Sequence, residues 1–250
     1  MMSLGMHDYG PSTYGDHIAD AYDAWFHPPS DPAAAIDFLA ELVGSGPALE
    51  LAIGTGRIAL PLATRGVEIQ GIDASAAMVA KLREKPGGTD IPVTMGDFAD
   101  VPVEGRFQLV FVVFNTLFAL LTQDDQRRCL RNVADHLTDD GVFVVEAFVP
   151  DIARFDRGQR VDARRVEVGR AILEVSRHDA GNQRVSSQLV VLEETGLRIF
   201  PVELRYVWPS ELDLMAELAG LRLRERWGDW NRERFTGDGK HVSVYERSRS

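Results

Sequence analysis

The sequence predicts an α/β fold: a doubly wound, mostly parallel sheet of seven strands covered by helices on both faces, with an antiparallel β lobe inserted late in the chain. Three observations predict it. Apolar strand-like runs alternate with helical patterns through residue 148, as in parallel sheets buried on both faces. The first of these strands enters a Gly-Thr-Gly turn, Gly54 to Gly56, and a helical pattern follows. From about residue 151 the apolar period shortens to two, the spacing of half-buried antiparallel strands.

In chain order, residues 12–26 place Ile18, Ala21, Tyr22 and Trp25 at helical spacing behind a Ser or Thr cap, an amphipathic helix ahead of the main domain. Pro28, Pro29 and Pro32 break it. A second helix, Ala33 to Val43, stops at Gly44-Ser45-Gly46-Pro47 and delivers the first strand. Beyond the glycine turn a helix runs to Arg65 and closes at Gly66, and strand VEIQGI ends at Asp73. A helix capped by Ser75 runs to Lys85, short strand IPVTM reaches Gly96-Asp97, and strand LVFVVF ends at Asn115. Thr122 and Asp125 resemble a capping box for a helix whose Cys129, Val133 and Leu137 form one stripe. Asp139-Asp140-Gly141 then turns the chain into strand VFVVEAF.

The lobe reads as three strands: near 166–176, near 184–193, and one in which Phe200, Val202, Leu204, Tyr206 and Trp208 alternate. A helix from Ser210 to Leu218, capped by Ser210 and stopped by Gly220, and strands near 221–227 and 241–247 complete the main sheet. The implied domains are a cap helix (1–30), a cofactor-binding core (31–150), the β insertion (151–208) acting as lid, substrate or dimer lobe, and a closing segment (209–250).

At 250 residues, 45% hydrophobic and 26% charged, the chain is expected to build one large core. No apolar run approaches membrane-spanning length, and the first residues lack the pattern of a signal peptide, so a cytoplasmic protein is expected. The single cysteine, Cys129, allows no internal disulfide. A net charge of −11 disfavours nucleic acid and anionic membranes as partners. Arg154, Arg157, Arg160, Arg164 and Arg165 form one basic cluster, read either as an ion-paired surface or as a site for an acidic substrate group. No His and carboxylate cluster has metal-ligand spacing, so no metal is expected.

Ligands of doubly wound sheets sit beyond the carboxyl ends of the strands, and Glu50, Asp73, Asp97, Asn115 and Glu146 all fall at or near those ends. GTGRIA alone fits a dinucleotide-binding turn, and Asp73 could serve a ribose in either a nicotinamide or another adenosine cofactor. Glu50, four positions before Gly54, separates the two. A carboxylate there repels a pyrophosphate, whereas it attracts the amino and sulfonium groups of S-adenosylmethionine. Asp97 is placed to take an adenine amino group, with Phe98 packing on the ring. No Tyr-x-x-x-Lys pair for hydride chemistry is present.

These residues resemble the class I S-adenosylmethionine-dependent methyltransferases, which have a Rossmann-like sheet. ELAIGTG is similar to the family's first motif, GIDASAAMV to its second, GDF to its third, FVVFNTLFAL to the segment beyond the fourth strand and VFVVEAF to the fifth strand. The resemblance covers roughly residues 12–150 and returns at the C-terminal helix and strands. It implies a cofactor site of Tyr14, Tyr22, Glu50, Ala52, Gly54, Thr55, Gly56, Asp73, Ala74, Met78, Gly96, Asp97, Phe98, Phe114 and Asn115, with S-adenosyl-L-homocysteine as the product. Within the class, TYGDHIADAYDAWF and the β lobe resemble small-molecule N-methyltransferases acting on amino sugars or amino acids. Amino-sugar enzymes carry a histidine just after the fourth strand, where this chain has Phe118.

The implied reaction is direct displacement onto a small-molecule N or O acceptor. It calls chiefly for alignment and exclusion of water. Tyr14, His17 and Glu146 are the candidate catalytic residues, the last two as proton acceptors. Asn115 and Thr116 line the same rim or merely cap its loop, and Trp208, Trp227 and Trp230 are read as packing residues. Three other functions fit part of the pattern: a nicotinamide-dependent oxidoreductase, a non-catalytic S-adenosylmethionine-binding protein, and a macromolecular methyltransferase, for which the net acidity disfavours nucleic acid and leaves protein side chains. A homodimer through the lobe is compatible with its exposed edges.

Overall fold

A computed structural model describes residues 9–26 and 32–248, with the side chains of Trp25 and Phe26 excepted. Pro28, Pro29 and the first eight residues lie outside the described residues, as does the side chain of Trp25. The helices are α1 (Thr13–Phe26), α2 (Ala33–Val43), α3 (Ala59–Thr64), α4 (Ala76–Arg83), α5 (Gln123–His136) and α6 (Pro209–Leu218). The strands of the main sheet are β1 (Ala48–Leu51), β2 (Ile69–Asp73), β3 (Val93–Met95), β4 (Phe107–Val112), β5 (Leu137–Phe148), β10 (Leu221–Trp227) and β11 (Lys240–Arg247). Their spatial order is β10-β11-β5-β4-β1-β2-β3. β11 runs antiparallel to both of its neighbours, and the other pairings are parallel.

The expected doubly wound sheet is therefore present, and its burial explains the continuous apolar runs. Phe143, Val145, Leu49 and Val110 pack toward α5 and α6, whose Cys129, Leu130, Val133, Leu212 and Met215 fill that layer. Ala48, Leu109, Phe111 and Val144 pack on the opposite side against Phe38 and Leu39 of α2 and Ala59 and Leu62 of α3. β1 sits at the centre, between β4 and β2, with Glu50 opposite Gly71 and Phe111. Ser75 caps α4 by accepting the Met78 N–H at 3.1 Å, and Thr122 caps α5 by accepting the Asp125 N–H at 3.1 Å.

Several boundaries differ from the sequence reading. The lobe has four antiparallel strands, in the order β6 (Gln159–Glu167), β7 (Arg170–Asp179), β8 (Arg184–Glu193), β9 (Gly196–Arg205). The run read as one strand near 166–176 straddles the β6–β7 turn, where Gly169 takes a φ of +75°. β6 stayed hidden because it carries the arginine cluster. Arg154 and Arg160 pair with Asp162, Arg164 with Glu174, and Arg165 with Glu167. Four of the five arginines thus have carboxylate partners within the lobe and its approach, which favours the ion-paired surface.

α6 starts at Pro209, the first helical position, where a missing N–H costs nothing; Trp208 precedes it and Ser210 makes no cap bond. β4 ends at Val112 rather than Asn115, because Phe114 and Asn115 take positive φ values and the chain enters a 3-10 turn at Thr116–Ala119. Asp139 to Gly141 make no separate turn; α5 runs straight into β5, and they form an irregularity in its pairing with β4. Trp230 is buried edge-on against Phe38 at 5.5 Å, consistent with packing.

Candidate functional site

The carboxyl ends of β1, β2 and β3 bring three acids to one edge of the sheet. β1 leaves its ladder through Ala52, Gly54 and Gly56, with φ of +56°, +55° and +76°. Glycine is required at position 56: besides the left-handed backbone, a Cβ there would lie 2.4 Å from Leu82 Cδ1. The path lets the Gly54 N–H donate to Asp73 Oδ2 at 2.7 Å, while the Ser75 N–H donates to Oδ1 at 2.8 Å. The Ala74 N–H also bonds this carboxylate, which with about four acceptor positions keeps capacity in reserve. Burial raises the Asp73 pKa, and the Ser75 and Gly54 amides oppose the rise.

Glu50 is 4% exposed, and its Oε2 is buried with no hydrogen-bond partner. The carboxyl accepts one backbone N–H, from Ala59 at the start of α3. Burial pushes its pKa well above the usual carboxylate range, and the charge of Asp73 adds to the rise. An orphaned carboxyl oxygen in a sealed site costs stability unless a cation or donor arrives to meet it. Asp97, half-buried, accepts the Ala99 N–H at 2.9 Å, and the Gly96 N–H donates to the Asp73 carbonyl at 2.9 Å.

α1 lies across this edge. Its Ile18 and Ala19, with Tyr14 and Tyr22, form one apolar cluster with Met78 and Ala77 of α4 and with Ile172, Val191 and Phe200 of the lobe. Burial holds the Tyr14 phenol well above its ordinary pKa and also raises Tyr22, against the pull of Arg57. Arg57 escaped the sequence reading because it fills a variable place in the glycine motif. Its guanidinium lies 4.4 Å from the centre of the Phe114 ring and hydrogen-bonds Tyr22.

Two expectations lose their geometric basis. His17 is exposed, and its Nδ1 lies 2.8 Å from the Thr13 carbonyl one turn back, so the structure does not bring it to the acids. Glu146 has both oxygens engaged: Oε2 accepts the Phe114 N–H at 3.0 Å, and Oε1 accepts Trp230 Nε1 at 3.0 Å and Lys240 Nζ at 3.1 Å. It ties β4 and β11 to the end of β5 and has little capacity left for a substrate proton. Phe98 is buried in the apolar cluster on the α5 side, with Ile72, Ala99 and Val101. Asn115 Oδ1 accepts the Phe148 N–H at 2.7 Å, which makes it a brace between strand ends. Ala74 is half-buried beside Asp73, and Met78 is buried under α1.

The profile of a family described as "Methyltransferase domain" matches residues 48–141, the segment that holds all three acids. The structure of the CcbJ methyltransferase from Streptomyces caelestis is 43% identical and superposes with a TM-score of 0.91, covering 96% of this chain and 100% of that one. The cypemycin N-terminal methyltransferase of a Streptomyces species is 28% identical over 94% of this chain and 97% of its own length. CalS10, an amino pentose methyltransferase from Micromonospora echinaspora solved with S-adenosylmethionine bound, is 26% identical with a TM-score of 0.66, covering 90% of this chain and 94% of that one.

Proposed function

Because the chain belongs to the class I S-adenosylmethionine-dependent methyltransferases, we propose that it methylates the nitrogen of a small-molecule amine, with Glu50, Asp73 and Asp97 holding the cofactor. The observation that carries the cofactor assignment is the buried, unpartnered Glu50 Oε2 beside a second carboxylate that keeps acceptor positions open. The nitrogen acceptor is supported by two of the relatives, whose names refer to an N-terminus and to an amino sugar. No described helix is long and apolar enough to cross a membrane.

When bound, S-adenosylmethionine supplies an electrophilic methyl group on sulfur and is left as the neutral thioether of S-adenosylhomocysteine. Asp73 takes the ribose hydroxyls and Asp97 the adenine amino group. Glu50 faces the amino group of the methionine moiety and Arg57 its carboxylate. The turn through Gly54, Thr55 and Gly56 keeps the backbone low enough for close approach. Tyr14 and Tyr22 close the methionine end, and their raised pKa values keep both phenols protonated at neutral pH. Tyr14 therefore acts as a hydrogen-bonding rim that orients the acceptor nitrogen, and the methylated amine carries its extra proton out and gives it to bulk solvent after release. Exclusion of water by α1 and the lobe accounts for the rest.

The second copy in a homodimer is read onto the outer face of the lobe, where Val161, Val175, Leu192, Leu197 and Ile199 stand exposed. Calorimetric titration with S-adenosylhomocysteine tests the cofactor site, and a screen of amines against alcohols for homocysteine-equivalent release tests the acceptor. Binding of NAD in place of S-adenosylhomocysteine, or turnover of alcohols alone, would overturn the reading.

A further inference from the structure

α1 carries Asp16, Asp20 and Asp23 at spacings of four and three, which places them on one stripe of the helix. Each meets a group from the walls of the cofactor site. Asp16 Oδ1 accepts the Ser75 hydroxyl at 2.6 Å, two residues beyond Asp73. Asp20 pairs with Lys81 at 2.9 Å, but its side chain is 90% exposed, so solvent and salt screen the pair. Asp23 reaches furthest in. Its Oδ1 accepts the hydroxyl of Thr55, the middle residue of the glycine turn, at 2.7 Å. Its Oδ2 pairs with Lys85 Nζ at 2.7 Å, and that ammonium also donates to the Thr55 carbonyl at 2.8 Å. Asp23, Thr55 and Lys85 thus close a three-membered ring that joins α1 to the glycine turn and to the end of α4.

The backbone of α1 seats flush at its other end. A Cβ on Gly15 would lie 2.6 Å from Ser75 Cβ and 2.9 Å from Met78 Cγ. Beneath the helix, Glu50 and Asp73 are only 4% and 8% exposed. Asp16 bonds Ser75, two residues beyond Asp73, and Asp23 bonds Thr55 in the turn that follows Glu50, so α1 is tied to the segments that carry both acids.

We propose that Asp23 is a positioning residue that latches α1 over the cofactor through Thr55 and Lys85, so that release of S-adenosylhomocysteine requires this ring to open. The proposal rests on the assignment of Glu50 and Asp73 to the cofactor. All three of its links involve a charged group, and Thr55 is buried, so the ring holds more strongly than the exposed Asp20–Lys81 pair. It leaves the reacting atoms untouched. Its loss changes how long the site stays shut, hence the cofactor's KM, more than the displacement step.

The test follows dissociation of tritiated S-adenosylhomocysteine from preloaded protein during a chase with unlabelled ligand. Asp23→Asn is expected to speed release about tenfold, the equivalent of one charge-assisted hydrogen bond, and to raise the KM for S-adenosylmethionine while kcat holds or rises. Added salt should speed release from the wild type more than from Asp23→Asn. Gly15→Ala, which lifts the helix without touching a charge, should also speed release but keep the salt dependence. A merely structural substitution would lower the active fraction without altering the release rate of the sites that remain. Equal, salt-insensitive release from the wild type and from folded Asp23→Asn would overturn the latch. If Asp23→Asn does not fold, Lys85→Met takes its place in the same comparison. Failure of the wild type to bind S-adenosylhomocysteine at all would overturn the cofactor assignment, and the latch with it.

Discussion

Glu50→Gln should move cofactor affinity and the pH dependence of stability in separable ways. The side chain keeps its shape and its hydrogen bond from the Ala59 N–H, but loses its charge where Oε2 has no partner. Hydrogen bonds to charged groups contribute about 1.5–3 kcal/mol, so affinity for S-adenosylhomocysteine, whose ammonium group remains, should fall about 10- to 150-fold. In the free wild type the Glu50 pKa lies well above its unfolded value, so the native state binds a proton that the unfolded chain releases. Its contribution to stability is present below the unfolded pKa and is lost as pH rises through the folded pKa. Glu50→Gln removes that loss, and the ratio of variant to wild-type stability should climb with pH over the same window. Binding of a cationic ligand should also expel the proton from the wild type and none from the variant, read as a buffer-dependent calorimetric enthalpy. Equal Kd values, or a wild-type and variant stability that run parallel in pH, would refute the reasoning.

Four further outcomes are expected. Asp73→Ala, which removes the acceptor of the Gly54 and Ser75 amides and of the ribose, should weaken S-adenosylhomocysteine binding by about 2 kcal/mol in calorimetry; unchanged affinity in a folded protein would remove Asp73 from the site. His241 is buried with its pKa lowered to about 4, mainly by burial, so the unfolded chain binds its proton first as pH falls. Stability should drop by about 3 kcal/mol between pH 6.5 and pH 4, and denaturant titrations of His241→Gln should show a flatter acid limb. Cys129, buried in the α5 stripe with its thiol pKa raised by burial, should resist thiol reagents until the protein unfolds, and rapid native labelling would contradict its placement. Ile199→Asp on the outer face of the lobe should convert a dimer to a monomer in sedimentation equilibrium, and a monomeric wild type would end the dimer proposal.

The main sheet was legible because parallel strands buried on both faces leave continuous apolar runs, and because Gly54, Gly56 and Asp73 have geometric duties that restrict their identity. β6 was not legible. Its charged residues, Arg160, Asp162, Arg164, Arg165 and Glu167, meet ion-pair partners rather than core, and its Val161 and Val166 stand exposed, so it leaves no apolar stripe. The three acids announced themselves by position, and the structure adds the orphaned oxygen that gives Glu50 its meaning. Arg57, Thr55 and Lys85 act through contacts across 30 residues or more, as from Asp23 to Thr55, and no local spacing encodes those. His17 and Glu146 had the right chemistry at the right sequence positions. The helix turned His17 outward, and Trp230 and Lys240, distant in sequence, claimed Glu146.

A crystal structure of the protein with S-adenosylhomocysteine is the most direct test of the cofactor site. It should place both ribose hydroxyls on Asp73, the adenine amino group on Asp97 and the methionine ammonium within hydrogen-bond reach of Glu50 Oε2, under a seated α1. A ligand bound elsewhere, or bound at this edge with Glu50 Oε2 still unpartnered, would contradict the role assigned to the acids.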